Sequence, residues 1–109
     1  MTKSSISRKS VQSVNPLKGV YRKTLLYNDS VMLCHFILDK DSEIPLHSHE
    51  EHQVGYVIKG QIKFITDGNE FIVVEGDSYI FDSNEKHGAL ILENAEIIDV
   101  FSPPREDYK

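Results

Sequence analysis

Three of the chain's five histidines, His47, His49 and His52, lie within six residues of one another. In an extended strand alternate side chains share a face, so His47 and His49 present two imidazoles to one side, about 7 Å apart. That spacing suits two ligands on one metal ion. Gln53 follows and offers a side-chain oxygen as third ligand; His52 adjoins it and stays open for the same role. His87 falls just after a turn, where it can close the site. Neutral imidazoles with one amide oxygen favour a borderline divalent ion, Zn, Ni, Mn, Fe or Co. Ca and Mg prefer carboxylates. A His-x-His pair beside Glu50 and Glu51 is also what a solvated acidic loop looks like, so its surroundings must decide.

A second group lies near the C-terminus. Asp99 interrupts the apolar run from Ile97 to Phe101. Ile97, Asp99 and Phe101 share one face of a strand, Ile98 and Val100 the other. An ionised carboxylate is rarely buried without a partner. Asp99 therefore faces solvent, a polar pocket or a salt bridge at a subunit interface. Arg105 follows in the tail, with Glu106 and Asp107 as ready partners. Phe101 either walls a pocket or fills the core. His35, Tyr56 and Tyr79 have at best the parity to line a pocket and read rather as core filling, and the single cysteine, Cys34, reads as a buried small hydrophobe.

These residues need strands to position them. Val20–Tyr27 and Val31–Leu38 read as strands around the turn Asn28-Asp29-Ser30. Ile44–His49 is extended, with Pro45 keeping it out of a helix. Gln53–Ile58 alternates and Lys59-Gly60 is expected to turn it back. Gln61–Thr66 and Glu70–Glu75 flank Asp67-Gly68-Asn69, a hairpin signal. Tyr79–Phe81, His87–Leu92 and Glu96–Phe101 complete the set, with a turn at Glu93-Asn94. Short strands at such spacing predict an all-β sandwich or barrel. Val31–Leu38 and Ile97–Phe101 are apolar on both faces, so the outer face is expected to meet a second subunit, a homodimer with the N-terminal arm as the natural swapped strand.

The chain has 109 residues, room for one domain. Its net charge is −5, yet residues 1–23 hold six of the 12 basic residues and none of the 17 acidic ones. Residues 1–18 read as a basic arm and 19–109 as the domain, its tail starting at about 103. The arm lacks interleaved aromatics and the acidic remainder repels phosphate, so neither nucleic acid nor membrane is an expected partner. One cysteine excludes an internal disulfide. With no apolar leader, the cytoplasm is the expected location.

The stretch from Asp41 through His47, His49 and Gln53 to Gly60 resembles the first motif of the cupin superfamily, GxxxxxHxHxxxExxxxxxG. Gly76-Asp77 to His87 resembles the second, GDxxxxPxGxxH. Asp41 and Asn84 stand where the motifs have glycine, Asp82 where they have proline, and Gln53 where they have glutamate. The resemblance implies a single cupin β-barrel of the jelly-roll type, commonly dimeric, with a metal inside. Within it, the ending from Asp99 to Tyr108, the HSHEEHQ run and Gly19–Lys23 look like the KdgF family of pectin-degradation proteins. These are small metal cupins that convert cyclic 4,5-unsaturated uronates from pectin and alginate breakdown to linear 5-keto-4-deoxyuronate. The resemblance implies His47, His49, Gln53 and His87 as ligands of one divalent transition metal per chain, Asp99 as the catalytic proton carrier, and Arg105 and Phe101 as substrate-binding residues. On the residues alone, an iron-dependent dioxygenase and a non-catalytic, metal-dependent sugar-binding cupin stay open.

Overall fold

The computed structural model describes residues 4–109. Lys3, part of the basic arm, lies outside them. The described residues form eight strands: β1 (Val14–Leu17), β2 (Val20–Tyr27), β3 (Met32–Leu38), β4 (Glu43–His47), β5 (His52–Thr66), β6 (Asn69–Val74), β7 (Ser78–Phe81) and β8 (His87–Ser102). The helical segments among them are two 3-10 turns, Arg8–Ser10 and Glu106–Tyr108. Every strand pairing is antiparallel, in the order β1-β2-β3-β8-β5-β6, with β4 added to β8 and β7 to β5.

Two strands are longer than the sequence pattern suggested. Gln53–Ile58 and Gln61–Thr66 form one strand, β5, and the expected reversal at Lys59-Gly60 does not occur. The register against β8 slips between Val57 and Ile62, and Gly60 has a φ of 99°. A bulge of this kind bends a strand without reversing it and changes which residues face inward. Gln53, Gly55 and Val57 are buried before it, Ile62 and Phe64 after it. The expected turn at Glu93-Asn94 likewise lies within β8. Both strands therefore run from one wall of the barrel to the other. The first half of β5 pairs with β7 and its second half with β6; the first part of β8 pairs with β4 and its end with β3.

The core is the inner surface of these walls, with Met32, Leu38, Val57, Ile62, Ile91 and Phe101 almost fully enclosed. The substituted motif glycines keep the backbone the motifs require. Asp41 has φ 71° and Asn84 φ 63°, a region that Asp and Asn enter more readily than most residues.

The described part of the arm packs on its own chain. β1 pairs with β2, and Arg8 lies 3.2 Å from the Glu96 carboxylate. His35 is buried against that carboxylate at 2.7 Å. Burial keeps Cys34 protonated, with its thiol pushed up to about 11.

Candidate metal and catalytic site

β4 and β8 are paired so that His47 stands opposite His87. His49 comes from the loop after β4, beyond the strand end, yet its ring meets both others. The ring centroids are 4.5 Å apart for His47–His87, 4.9 Å for His49–His87 and 5.7 Å for His47–His49. One nitrogen from each lies within 4.8 Å of the others.

The backbone selects which nitrogen that is. His47 Nδ1 lies 2.8 Å from the Pro45 carbonyl, His49 Nδ1 2.9 Å from that of Glu51, and His87 Nδ1 2.8 Å from that of Glu85. A carbonyl only accepts, so each Nδ1 carries the proton and each neutral ring keeps its Nε2 lone pair free. His87 stacks on Phe81 at 4.3 Å, and its Nε2 is buried without a partner. Burial holds the His49 and His87 rings toward the neutral form, His87 down to about 4.

Gln53 sits on β5 with its side chain buried. Its Nε2 donates to Asp99 Oδ2 at 3.0 Å. A carboxylate accepts and an amide nitrogen donates, so Oε1 must point the other way, to 3.1 Å from His49 Nε2. Two acceptors thus face each other, an arrangement a shared cation satisfies. With the partnerless Nε2 of His87, this donor set fits a divalent transition metal. His52, the other candidate, points outward and accepts from the Ser83 amide.

Asp99 faces inward, not to solvent. It is 3% exposed and receives a second hydrogen bond from the Tyr79 hydroxyl. Burial pushes its carboxyl up to about 7, against the two hydrogen bonds that pull it down. Burial and the adjacent Asp99 keep Tyr79 a protonated phenol. Gly55 makes this meeting possible. It lies between Asp99 on β8 and Tyr79 on β7, and a side chain there would strike both.

Tyr79 is part of the core, as its pattern predicts, and it also lines the cavity and holds the carboxylate. Its signal was Gly55 in mid-strand, a mark of close approach by neighbouring groups. Tyr56 is exposed and His35 is committed to Glu96, so neither reaches the site.

The cavity measures about 300 Å³ and is lined by His47, Gln53, His87 and Asp99, among others. Phe101 is buried in its wall, edge-on to His49 at 5.8 Å. Arg105 also lines it, but its Nε and Nη2 face the Asp107 carboxylate at 3.3 and 3.1 Å, and Nη1 donates to the Tyr108 hydroxyl. Tyr108 is a lining residue the sequence reading left out. The tail folds it back into the barrel mouth, where its carbonyl accepts from Thr24.

An antiparallel β-barrel in which three histidines bring their ring nitrogens together, a cluster that could hold a metal ion, defines a cupin. The cupin domain family matches residues 34–101. Pectin degradation protein KdgF of Dickeya dadantii (strain 3937) is 34% identical over 92 residues, 83% of this chain and 84% of that protein. The structure of KdgF from a Halomonas species superposes with a TM-score of 0.91 at 27% identity, covering 99% of this chain and 100% of that one. An RmlC-like cupin from Shewanella frigidimarina NCIMB 400 gives 0.92 at 29% identity, covering 98% and 96%. The chain belongs to the cupin family and, within it, to the KdgF family. No helix among the described residues is long and apolar enough to cross a membrane.

Proposed function

We propose that this protein opens the ring of cyclic 4,5-unsaturated uronates, giving the linear 5-keto-4-deoxyuronate. The observation that carries the reading is one buried chain of contacts: Tyr79 to Asp99, Asp99 to Gln53, Gln53 to His49. It joins a proton-carrying carboxylate to a metal-binding cluster inside a cavity sized for a monosaccharide. Membership of the KdgF family supports the substrate class.

The reaction moves one proton and neither adds nor removes atoms. The anomeric hydroxyl loses its proton, the C1–ring oxygen bond breaks, and an aldehyde forms at C1. The ring oxygen departs as the enolate of C5, and protonation at C4 leaves a ketone at C5. Asp99 is the group we assign to take the first proton and deliver the second. Tyr79 and Gln53 hold both carboxylate oxygens, fixing the direction of transfer. His47, His49, Gln53 and His87 would hold the divalent ion, whose charge lowers the cost of negative charge developing on the substrate. Zn, Ni, Mn, Fe and Co all suit that donor set. Phe101 walls the pocket, and Arg105 offers a two-pronged donor to the sugar carboxylate when it leaves Asp107.

We further propose a homodimer acting in the cytoplasm. The outer sheet face carries an apolar row across five paired strands: Ile80, Val54, Val100, Leu33 and Leu26. Ile80 is 64% and Val54 43% exposed in the single chain. A second copy would cover them.

The test uses protein purified without a histidine tag and loaded in turn with each of the five metals. Monomeric unsaturated uronate from a lyase digest should lose its conjugated ultraviolet absorbance faster than the spontaneous ring opening. Metal analysis should find about one ion per chain. Turnover no faster than background with every metal would overturn the reading.

A further inference from the structure

Arg22 is the one arginine of the cavity with no counter-charge. It lies on β2, is 8% exposed, and lines the same cavity as Gln53 and Asp99. Its Nε is buried without a hydrogen-bond partner, and its guanidinium has no carboxylate partner among the described residues. What it touches is the face of Tyr108, 3.9 Å from Cζ to the ring centroid. Arg105 lies over the same ring at 4.0 Å but already has Asp107 and the Tyr108 hydroxyl. A cation this enclosed, with an aromatic face as its protein partner and an unpaired Nε, is costly unless something anionic joins it. The acidic groups nearest in the cavity are spoken for: Asp99 by Tyr79 and Gln53, Asp107 by Arg105.

We propose that Arg22 is an anion-binding, specificity-determining residue of the cavity, and that it receives the carboxylate of the small acid that binds there. The guanidinium fork matches a planar carboxylate in two parallel hydrogen bonds. The Tyr108 ring is the stand-in that shields the charge while the cavity holds no acid. Arg22 and Arg105 both lie over that ring, their Cζ atoms at most about 8 Å apart. In the sequence Arg22 looked like one more charge of the basic N-terminal stretch; only the fold turns it inward, away from Tyr21 and Lys23 on either side. Naming the acid as an unsaturated uronate rests on the ring-opening reading above, whereas the binding of a carboxylate does not.

The experiment compares metal-loaded wild type with Arg22→Met, which keeps the length and packing, and Arg22→Lys, which keeps the charge. Calorimetric titration with D-galacturonate, which has no double bond to react, is set against neutral D-galactose. Wild type should prefer the acid. Arg22→Met should lose affinity for the acid on the order of 10–100-fold, with affinity for galactose unchanged. Arg22→Lys should recover part of the loss. Without ligand, Arg22→Met should melt at or above the wild-type temperature, because it removes an unpaired buried charge. In turnover, the loss should fall mainly on KM. The proposal is overturned if wild type does not prefer the acid, or if Arg22→Met binds it equally well. A variant that melts far below wild type or fails to fold also overturns it, by making Arg22 a structural residue. If wild type binds galacturonate through Arg22 yet fails to turn over the unsaturated sugar, the ring-opening reading falls and Arg22 stands.

Discussion

Asp99 has two duties that a well-chosen pair of substitutions separates. It carries the proton in the proposed reaction, and its Oδ2 fixes the Gln53 amide so that the amide oxygen faces His49. Asp99→Asn can preserve the second duty. Its carbonyl oxygen accepts from Gln53, its amide nitrogen donates to Tyr79, and the phenol hydroxyl swings to accept. This variant should keep its metal and lose kcat on the order of 10²–10⁴-fold. Asp99→Leu removes the acceptor and frees Gln53 to turn its nitrogen toward the histidines. It should lose metal affinity as well, on the order of 10–100-fold, as substitutions behind a ligand do. Metal titration with a competing chelator reads the difference. Equal metal affinity in both variants would mean that Gln53 needs no positioning. At this scale the sequence was informative because chemistry announces itself in residue type. A His-x-His pair and a lone Asp in an apolar strand stand out in a list of letters. The tautomers did not, because they depend on carbonyls at Pro45, Glu51 and Glu85 that only a folded backbone aims.

Among the strands, the informative residue is a glycine. Gly55 lies opposite Asp99 on one side and Tyr79 on the other, and its missing side chain is the space in which those two meet. Gly55→Ala should push the Tyr79 hydroxyl off Asp99 and strain the β5–β7–β8 layer. The expected cost is about 1–3 kcal/mol of stability, the range for overpacking a filled interior. It should be read as a lower thermal midpoint together with a fall in kcat. A variant as stable and active as wild type would show that the Tyr79–Asp99 contact is dispensable. Strand boundaries were legible where local alternation is clean: β2 runs from Val20 to Tyr27, as its pattern predicts. They were illegible where a strand bends. The bulge near Gly60 switches the inward face from Gln53, Gly55 and Val57 to Ile62 and Phe64, and a reversal of alternation beside a glycine reads like a turn. Arg22 and Tyr108 were missed for a related reason. Their meeting joins residues 86 positions apart, and nothing local in either segment refers to the other.

For the molecule as a whole, the unfinished surface is the outer face of β7, β5, β8, β3 and β2. Strands with apolar residues on both faces need cover on both, and the barrel interior supplies only one. The row through Ile80, Val54, Val100, Leu33 and Leu26 follows directly from the strand registers. Its residues alternate with those that build the cavity: Val54 lies between Gln53 and Gly55, and Val100 between Asp99 and Phe101. The same strands therefore present chemistry inward and an apolar row outward. Association on that face would stiffen the backbone that carries Gln53 and Asp99. Val54→Lys combined with Ile80→Lys places two charges on the row without touching the cavity, since both side chains point away from it. Sedimentation should shift from dimer to monomer at micromolar concentration while the metal content stays at about one ion per chain. The turnover of the resulting monomer then measures how far the active site depends on its partner's support. A wild-type chain that sediments as a monomer at that concentration contradicts the dimer, and a double variant that remains dimeric moves the interface to another face of the barrel.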